Sequence, residues 1–183
     1  MHPVARSSAR LTLRETENGD VEGVHAIYGN AEATRHLSFE PRTRDEVCQI
    51  VARSVASAAA EPRTEYGLAV VERHTQDLVG VGRLATDPHQ QRAATMGFAL
   101  RPDMWGAGYG LEIVHLLLGV AFLDLGLHRV WGARSPLNAG SARTMAAAGM
   151  VEEGVIRGHI QRAGQWRDSV VHGILAEEWE QPA

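Results

Sequence analysis

The sequence predicts a mixed α/β domain, in which helices pack on a central sheet of mixed strand direction. Segments rich in β-branched residues alternate with segments of helical periodicity. Three predicted strands also follow one another in the middle of the chain, without an intervening helix. A length of 183 residues is enough for one hydrophobic core, so we expect a single domain over residues 1–183.

The first half of the chain is predicted to hold a strand, two helices and a hairpin. The segment "RLTLR" alternates as a strand does, and the apolar residues of "GDVEGVHAIYG" recur at helical spacing. Thr43 and Glu46 form the S/T-x-x-E pattern of a capping box, which predicts that a second helix begins there. After Pro62, "YGLAVVER" and "LVGVGRLAT" flank the polar stretch "HTQD", which indicates a hairpin.

The second half continues with a strand, a long helix, a strand, a short helix and a closing hairpin. "AATMGFALRP" and "HRVWGAR" are predicted strands, and the apolar run from Leu111 to Leu125 between them is too long for a typical strand. "NAGSARTMAAAGM" predicts a short helix that Gly149 ends. The last two strands are predicted to turn at Ala163 and Gly164.

Composition excludes several classes of function. The net charge of −4 argues against a nucleic-acid partner, because such surfaces carry basic patches. No apolar run approaches the roughly 20 residues that span a bilayer, so we expect no membrane partner. All 18 basic residues are Arg, which excludes a lysine Schiff base and a P-loop lysine. The start "MHPVARSSARL" lacks a secretory pattern, and we expect a cytoplasmic protein.

Cysteine, histidine and tryptophan add few constraints. Cys48 is the only cysteine, which excludes an intrachain disulfide and a cysteine-based zinc site. The nine histidines show neither H-x-x-x-H nor H-E-x-x-H spacing, so we expect no metal. Four scattered tryptophans are expected to lie mostly in the core: Trp105, Trp131, Trp166 and Trp179.

The segment "RPDMWGAGYGLE" is the most informative stretch of the chain. It places Gly106, Gly108 and Gly110 between a predicted strand and a predicted helix. Such a turn presents unpaired N–H groups at the positive end of a helix dipole, which suits a phosphate. The spacing fits neither the Walker pattern nor the Rossmann pattern. A glycine turn that only starts a helix would fit the same residues.

The chain resembles the GCN5-related N-acetyltransferases (GNAT), and in particular the branch of the ribosomal-protein acetyltransferases RimJ and RimL. "MGFALRPDMWGAGYGLE" is similar to that branch's "GY-x-L-x-P-x-x-W-G-x-G-Y" segment. "LHRVWGARSPLNAGSARTMAAAGMVEEGVIRG" resembles its "R…N-x-x-S…G-F…E-G" block. "ARLTLRE", "LVGVGRL" and "QWRDSVVHGILAEEW" resemble its opening, "IG" and closing strands. The resemblance runs nearly end to end.

This resemblance implies a largely antiparallel sheet, with acetyl-CoA in a cleft beside the central strand. Two groups of residues are then expected to bind the cofactor. The strand before the turn would contact the pantetheine arm through backbone groups: Phe98, Ala99 and Leu100. The turn would hold the pyrophosphate: Trp105, Gly106, Ala107, Gly108, Tyr109 and Gly110.

Positions that differ from the family pattern shape the expected site. Trp105 and Ala107 stand where relatives often carry polar or basic residues, so the turn depends on its amides, and Arg101 or Arg143 could add positive charge. Asn138 is expected to contact the cofactor, to cap its helix, or both. Ser141 matches the residue that meets the departing thiolate. A serine hydrogen-bonded to its own backbone is the alternative.

No general base is evident at the positions that the resemblance indicates. Thr95 and Ile160 stand where relatives carry an acid, so another group or water must accept the proton. Four loop residues are possible substitutes: Asp87, His89, His36 and Glu40. The resemblance implies an acetyl-CoA-dependent N-acetyltransferase. A non-catalytic acyl-CoA-binding protein is the alternative. The acceptor amine could be a protein N-terminus, such as that of a ribosomal protein, or a small molecule, and the chain could be a monomer or a homodimer.

Overall fold

A computed structural model of the chain describes residues 3–182. Eight strands form one sheet in the order β1-β2-β3-β4-β5-β6-β8-β7. Their bounds are β1 Ala5–Ser7, β2 Leu11–Glu15, β3 Glu65–Glu72, β4 Leu78–Thr86, β5 Ala93–Leu100, β6 Arg129–Arg134, β7 Val151–Arg162 and β8 Gln165–Leu175. All neighbouring strands are antiparallel except β5 and β6. The predicted mixed, largely antiparallel sheet is therefore confirmed.

Within residues 3–182, five α-helices accompany the sheet. They are α1 Val21–Tyr28, α2 Ala31–Thr34, α3 Arg44–Ala58, α4 Tyr109–Gly119 and α5 Ala139–Ala147. The predicted capping box at the start of α3 is present, since the Thr43 hydroxyl accepts from the Glu46 N–H and the Glu46 carboxylate accepts from the Thr43 N–H. No helix within the described residues combines the length and the apolar character needed to span a bilayer.

The apolar run predicted as one helix over residues 111–125 has two parts. Helix α4 ends at Gly119, and a π-helical segment, Val120–Asp124, continues it. The side chains of Ile113, Val114 and Leu117 are fully buried, which accounts for the nearly continuous apolar sequence. The prediction of a buried helix that starts at the glycine turn is confirmed, although its last turn widens.

Helices cover both faces of the sheet. On one face, apolar residues of α4 and α5 join the main core with residues of β2 to β6, including Leu11, Leu84 and Val130. On the other face, α1 and α3 form a second core with Val81 of β4 and Ala99 of β5. Strand β5 is therefore packed from both sides, with core residues on each face.

Two short elements were not predicted. Strand β1 pairs with β2, and α2 follows α1 after a single turn. Three or four residues are too few for hydrophobic periodicity to appear. The only sequence signal for α2 is Asn30, whose side chain caps the helix by accepting the N–H groups of Glu32 and Ala33.

The expectation that most tryptophans lie in the core is wrong. Trp105 is 43% exposed and Trp166 is 68% exposed. Trp131 is half-buried and donates its ring N–H to Asp87 at 3.1 Å. Trp179 is also half-buried and packs against Phe122, with ring centroids 5.6 Å apart. Only the last of the four contacts the main core.

Candidate active site

The site begins where two parallel strands separate. Strand β5 pairs with β6 only from Ala93 to Thr95. Beyond Thr95, β6 continues along β8, while β5 continues along β4. A gap therefore opens in the sheet beside the second half of β5.

The backbone of β5 presents hydrogen-bonding groups to this gap. The N–H of Arg101 donates to the C=O of Val79 at 2.9 Å, so Arg101 points its backbone groups toward β4. Alternate residues of an antiparallel strand point to opposite neighbours. Ala99 therefore also faces β4, whereas Phe98 directs its N–H and C=O groups into the gap. Leu100 directs its N–H there, and its C=O accepts the Trp105 ring N–H at 3.2 Å. Of the three residues expected to make backbone contacts, only these two are oriented to do so.

The glycine turn closes one end of the gap. Gly106 and Gly108 have φ angles of +80° and +82°, which an L side chain disfavours, and Gly108 is the N-cap of α4. The N–H groups of residues 106–110 have no hydrogen-bond acceptor within the described part of the chain. Five consecutive unpaired donors thus lie at the positive end of α4, which is a favourable location for a phosphate.

Arg10 contacts this turn, which no sequence pattern indicated. Its guanidinium donates to the C=O of Ala107 at 2.9 Å and lies 4.1 Å from the centre of the Tyr109 ring. It also forms an ion pair with Glu112 in the first turn of α4. No short-range signal links Arg10 to a turn 97 residues away in the sequence, because the contact exists only once β2 lies beside α4.

The two expected arginines have different environments. Arg101 forms an ion pair with Asp103, with the closest atoms 2.7 Å apart, and does not line the cavity. Arg143 lies on the exposed side of α5, lines the cavity, and has no ion-pair partner between residues 3 and 182. Arg143 therefore remains the candidate for a further phosphate contact.

Helix α5 brings Asn138 and Ser141 to the same cavity. The Asn138 side-chain oxygen accepts the Ser141 N–H at 3.0 Å, so Asn138 is a true N-cap. Its NH₂ group is still available to a ligand. The Ser141 hydroxyl has no hydrogen-bond partner among the described residues, which argues against the alternative of a backbone-bonded serine. Met145, one turn later, is buried in the core.

The cavity has a volume of about 630 Å³ and spans the gap from the glycine turn to α2. Its lining includes most residues that the sequence predicted: Phe98, Ala99, Leu100, Trp105, Gly106, Gly108, Gly110, Asn138, Ser141 and Arg143. Ala107 and Tyr109 are in the turn, but their side chains do not line the cavity. The opposite wall is formed by Glu32, Ala33, Arg35, His36 and Leu37.

Among the four candidate bases, only His36 lines the cavity. Its half-buried imidazole has a pKa below its usual value of 6.5, because burial and the nearby positive charges of Arg35, Arg167 and Arg162 disfavour the protonated ring. A neutral imidazole at pH 7 can accept a proton.

The other three candidate bases do not line the cavity, and two of them are engaged in hydrogen bonds or an ion pair. Asp87 accepts hydrogen bonds from the Trp131 ring and from the His89 N–H. Glu40 forms an ion pair with Arg162. Neither Asp87 nor His89 lines the cavity. No group of three or more His, Cys, Asp or Glu side chains within residues 3–182 is placed to share a metal ion.

Comparisons with known proteins place this geometry among acetyltransferases. Residues 10–151 match the family described as "Acetyltransferase (GNAT) domain". The chain is 27% identical over 176 residues to the uncharacterized N-acetyltransferase YoaA of Bacillus subtilis (strain 168), which covers 96% of this chain and 98% of that protein.

Solved structures share the fold. RimJ from Mycobacterium smegmatis in complex with CoA-disulfide superposes with a TM-score of 0.80 at 20% identity, over 97% of this chain and 91% of that chain. Spermidine N-acetyltransferase from Vibrio cholerae in complex with CoA and spermine superposes with a TM-score of 0.80 at 22% identity, over 93% and 98% of the two chains. The RimJ-like resemblance expected from the sequence is confirmed at the level of the fold.

Proposed function

This chain belongs to the GNAT family of N-acetyltransferases, and we propose that it transfers the acetyl group of acetyl-CoA directly to an amine that enters from the α2 side of the cleft. Acetyl-CoA is the donor that the family uses. The observation that carries the proposal is the set of five unpaired N–H groups at residues 106–110, which lie beside the gap in the sheet. Family membership favours the enzyme over a non-catalytic acyl-CoA-binding protein.

The residues present fit the donor. The amides of residues 106–110 would hold the pyrophosphate, because they offer partial positive charge to an anion at one helix end. Arg10 is ion-paired with Glu112 and lies outside the cavity lining, and it would support the turn through its hydrogen bond to the Ala107 C=O. Arg143 would contact a further phosphate. The N–H and C=O groups of Phe98 and the N–H of Leu100 would pair with the amides of the pantetheine arm. That CoA occupies the RimJ and spermidine acetyltransferase structures supports this placement.

The chemistry requires three groups of this chain. Acetyl-CoA supplies a thioester carbonyl for the amine to attack and a thiolate that leaves. A backbone N–H of Phe98 or Leu100 would stabilise the negative charge on the carbonyl oxygen. The Ser141 hydroxyl would donate a hydrogen bond or a proton to the sulfur, and His36 would take the proton that the amine loses.

Replacement of Ser141 by alanine tests the function and the role of this residue together. Wild-type protein should release CoA thiol from acetyl-CoA in the presence of an amine acceptor. Loss of one hydrogen bond to a charged group, worth about 1.5 to 3 kcal/mol, should lower kcat roughly 10- to 100-fold. The Kd for acetyl-CoA, measured by calorimetry, should stay within about 2-fold, since the lost interaction forms mainly in the transition state.

The control for this variant is Ser7→Ala, which removes a hydroxyl far from the cleft. Ser7 lies on β1 and its hydroxyl shares a hydrogen bond only with that of Thr12. Ser7→Ala should leave kcat and Kd unchanged. If Ser141→Ala weakened binding as much as turnover, Ser141 would be a binding residue. If wild-type protein bound acetyl-CoA but released no thiol with any amine, the proposed function would be wrong.

Gly108→Val tests the pyrophosphate site. Valine disfavours a φ of +82°, and its side chain would enter the space beside the Arg10 guanidinium, which lies 3.4 Å from where the Cβ atom would be. The turn should shift and misalign its amides, which should weaken acetyl-CoA binding at least about 10-fold, the loss expected for one or two charged hydrogen bonds. Calorimetry on folded protein measures this effect.

Gly164→Val is the matched control for backbone strain. Gly164 has a φ of +75° in the β7–β8 turn, and no atom lies within 4 Å of the position of an added methyl group. It should lower the thermal stability by an amount similar to Gly108→Val and leave the acetyl-CoA affinity unchanged. Equal affinities for the two variants would show that the pyrophosphate does not bind at this turn.

A further inference from the structure

Three arginines surround the wall of the cleft that faces α5. Arg35 follows α2 and lines the cavity. Arg162 and Arg167 come from the β7–β8 hairpin and donate to the C=O groups of Arg35 and His36, respectively. The charges of all three guanidinium groups act on His36, although Arg35 is the one of the three that lines the cavity.

Only one of the three arginines is balanced by a carboxylate. Arg162 donates to both oxygens of Glu40, at 2.9 and 3.3 Å. Arg167 makes one hydrogen bond, to the His36 C=O at 3.3 Å, and its buried Nε has no acceptor. The side chain of Arg35 forms no hydrogen bond or ion pair with any residue between 3 and 182. Two guanidinium groups at this wall therefore have no anionic partner in the described chain.

Arg167 is half-buried, and an unpartnered guanidinium that is partly removed from water is unfavourable, because it loses hydration without gaining a counter-charge. Arg35 is exposed and keeps its hydration. Burial and the charge of Arg162 accordingly lower the pKa of Arg167. A planar carboxylate suits this environment, since its two oxygens match the parallel donors of a guanidinium. A polycation would instead meet like charge from Arg35 and Arg167.

We propose that the natural acceptor is a primary amine that also carries a carboxylate, which Arg35 binds in the cavity while His36 faces the amine. Arg167, which lies outside the cavity lining beside His36, would add positive charge to this wall. This inference rests on the proposed acetyl transfer and adds the substrate class. Glu32 is the one acidic residue in the cavity lining formed by residues 3–182, and its carboxylate would attract the ammonium group before transfer. The wall thus offers opposite charges for the two ends of a zwitterionic acceptor.

Two sources would supply this chemistry: a free amino acid, or a peptide N-terminus followed by an acidic side chain. Kinetics with matched acceptors distinguish them. One pair is L-alanine and L-alaninamide, and the other is Ser-Asp-Ala-amide and Ser-Asn-Ala-amide. Spermidine is the cationic probe. Within at least one pair, the carboxylate-bearing member should have the higher kcat/KM, by about 10-fold or more, and spermidine should be the poorest acceptor.

The variant that tests the site is Arg35→Gln, because Arg35 is exposed and its loss should leave the fold intact. At about pH 8, where the His36 ring is neutral with or without the charge of Arg35, the variant should raise KM for the preferred carboxylate-bearing acceptor about 10-fold. The KM for the neutral acceptor of the same pair should stay within about 2-fold, and the Kd for acetyl-CoA should not change. Arg167→Gln, with folding verified by its Tm, should act in the same direction. Arg157→Gln is the control, since Arg157 lies exposed on β7 and does not line the cavity.

Equal kcat/KM values within both pairs, or a preference for spermidine, would overturn the inference while leaving acetyl transfer established. The inference would also be overturned if Arg35→Gln raised the KM for neutral acceptors as much as the KM for carboxylate-bearing acceptors. If no amine released thiol, the proposed function would fail, and calorimetric titration of L-alanine and Ser-Asp-Ala-amide into the acetyl-CoA-loaded protein would still decide the carboxylate site. If either acceptor bound and Arg35→Gln weakened that binding, the carboxylate site would be supported. If neither bound, or if Arg35→Gln left the binding unchanged, the carboxylate site would be refuted.

Discussion

Replacement of His36 by glutamine is expected to lower kcat about 100-fold, the lower end of what a positioned general base contributes. His36 lines the same cavity as Ser141, and its lowered pKa leaves the ring neutral at pH 7. Glutamine keeps a polar side chain of similar length but cannot take a proton from the amine. Steady-state thiol release with saturating substrates measures the effect, and the Kd for acetyl-CoA should not change.

The dependence of kcat on pH separates a base from a residue that only shapes the cavity. Only the neutral imidazole can act as a base, so kcat of the wild type should fall as the pH drops through the pKa of His36, which lies below 6.5. His36→Gln should remove this acidic limb. His74→Gln, which alters an exposed histidine in the β3–β4 turn, should retain it. An unchanged limb in His36→Gln would assign the titration to another group.

Arg63→Ala is expected to lower the free energy of unfolding by about 3 to 5 kcal/mol, the cost of breaking a buried ion pair. The Arg63 side chain is 2% exposed. It donates to both oxygens of Glu15, at 2.7 and 2.8 Å, and stacks on the Tyr66 ring at 4.1 Å. Its removal would leave the Glu15 carboxylate partly buried without a counter-charge. Denaturant unfolding would measure the loss.

Two comparisons test this assignment. Arg83→Ala breaks an ion pair with Glu65 in which both side chains are about half exposed, so it should lower the free energy of unfolding by about 1 kcal/mol or less.

The second comparison is the pH dependence of stability. Burial alone would raise the pKa of Glu15, but the hydrogen bonds from Arg63 and the Val4 N–H outweigh it and lower that pKa. The stability that the Glu15 ion pair contributes is therefore fully present above pH 4.5, the usual pKa of a glutamate. It is lost as the pH falls through the lower pKa that Glu15 has in the folded state.

In Arg63→Ala, the loss of stability below pH 4.5 should be smaller than in the wild type, since the carboxylate no longer favours its charged form in the folded state. If Arg63→Ala and Arg83→Ala lowered the free energy of unfolding by similar amounts, burial would not strengthen the Arg63–Glu15 ion pair.

The sequence determined those features whose causes are local. The capping box at Thr43, the position of the glycine turn before α4, the Asn138 cap and the turn at Ala163 and Gly164 all follow from the residues within one or two turns of chain. Helical periodicity and β-branched content placed the longer helices and strands. The family motifs then predicted which strand would bind the cofactor, which stays a prediction, and several residues that line one wall of the cleft.

Only the tertiary structure decided which distant groups complete the site. Arg10 reaches the glycine turn because β2 packs beside α4, and the contact spans 97 residues. His36 faces the cleft because the short helix α2, which is too brief to show periodicity, forms its wall. The orientation of Phe98 and Leu100 toward the gap depends on where β6 leaves β5. The spacing of residues along the chain carries no information about such contacts. Electrostatic interactions and hydrogen bonds depend on the distance in space between two groups in the folded protein.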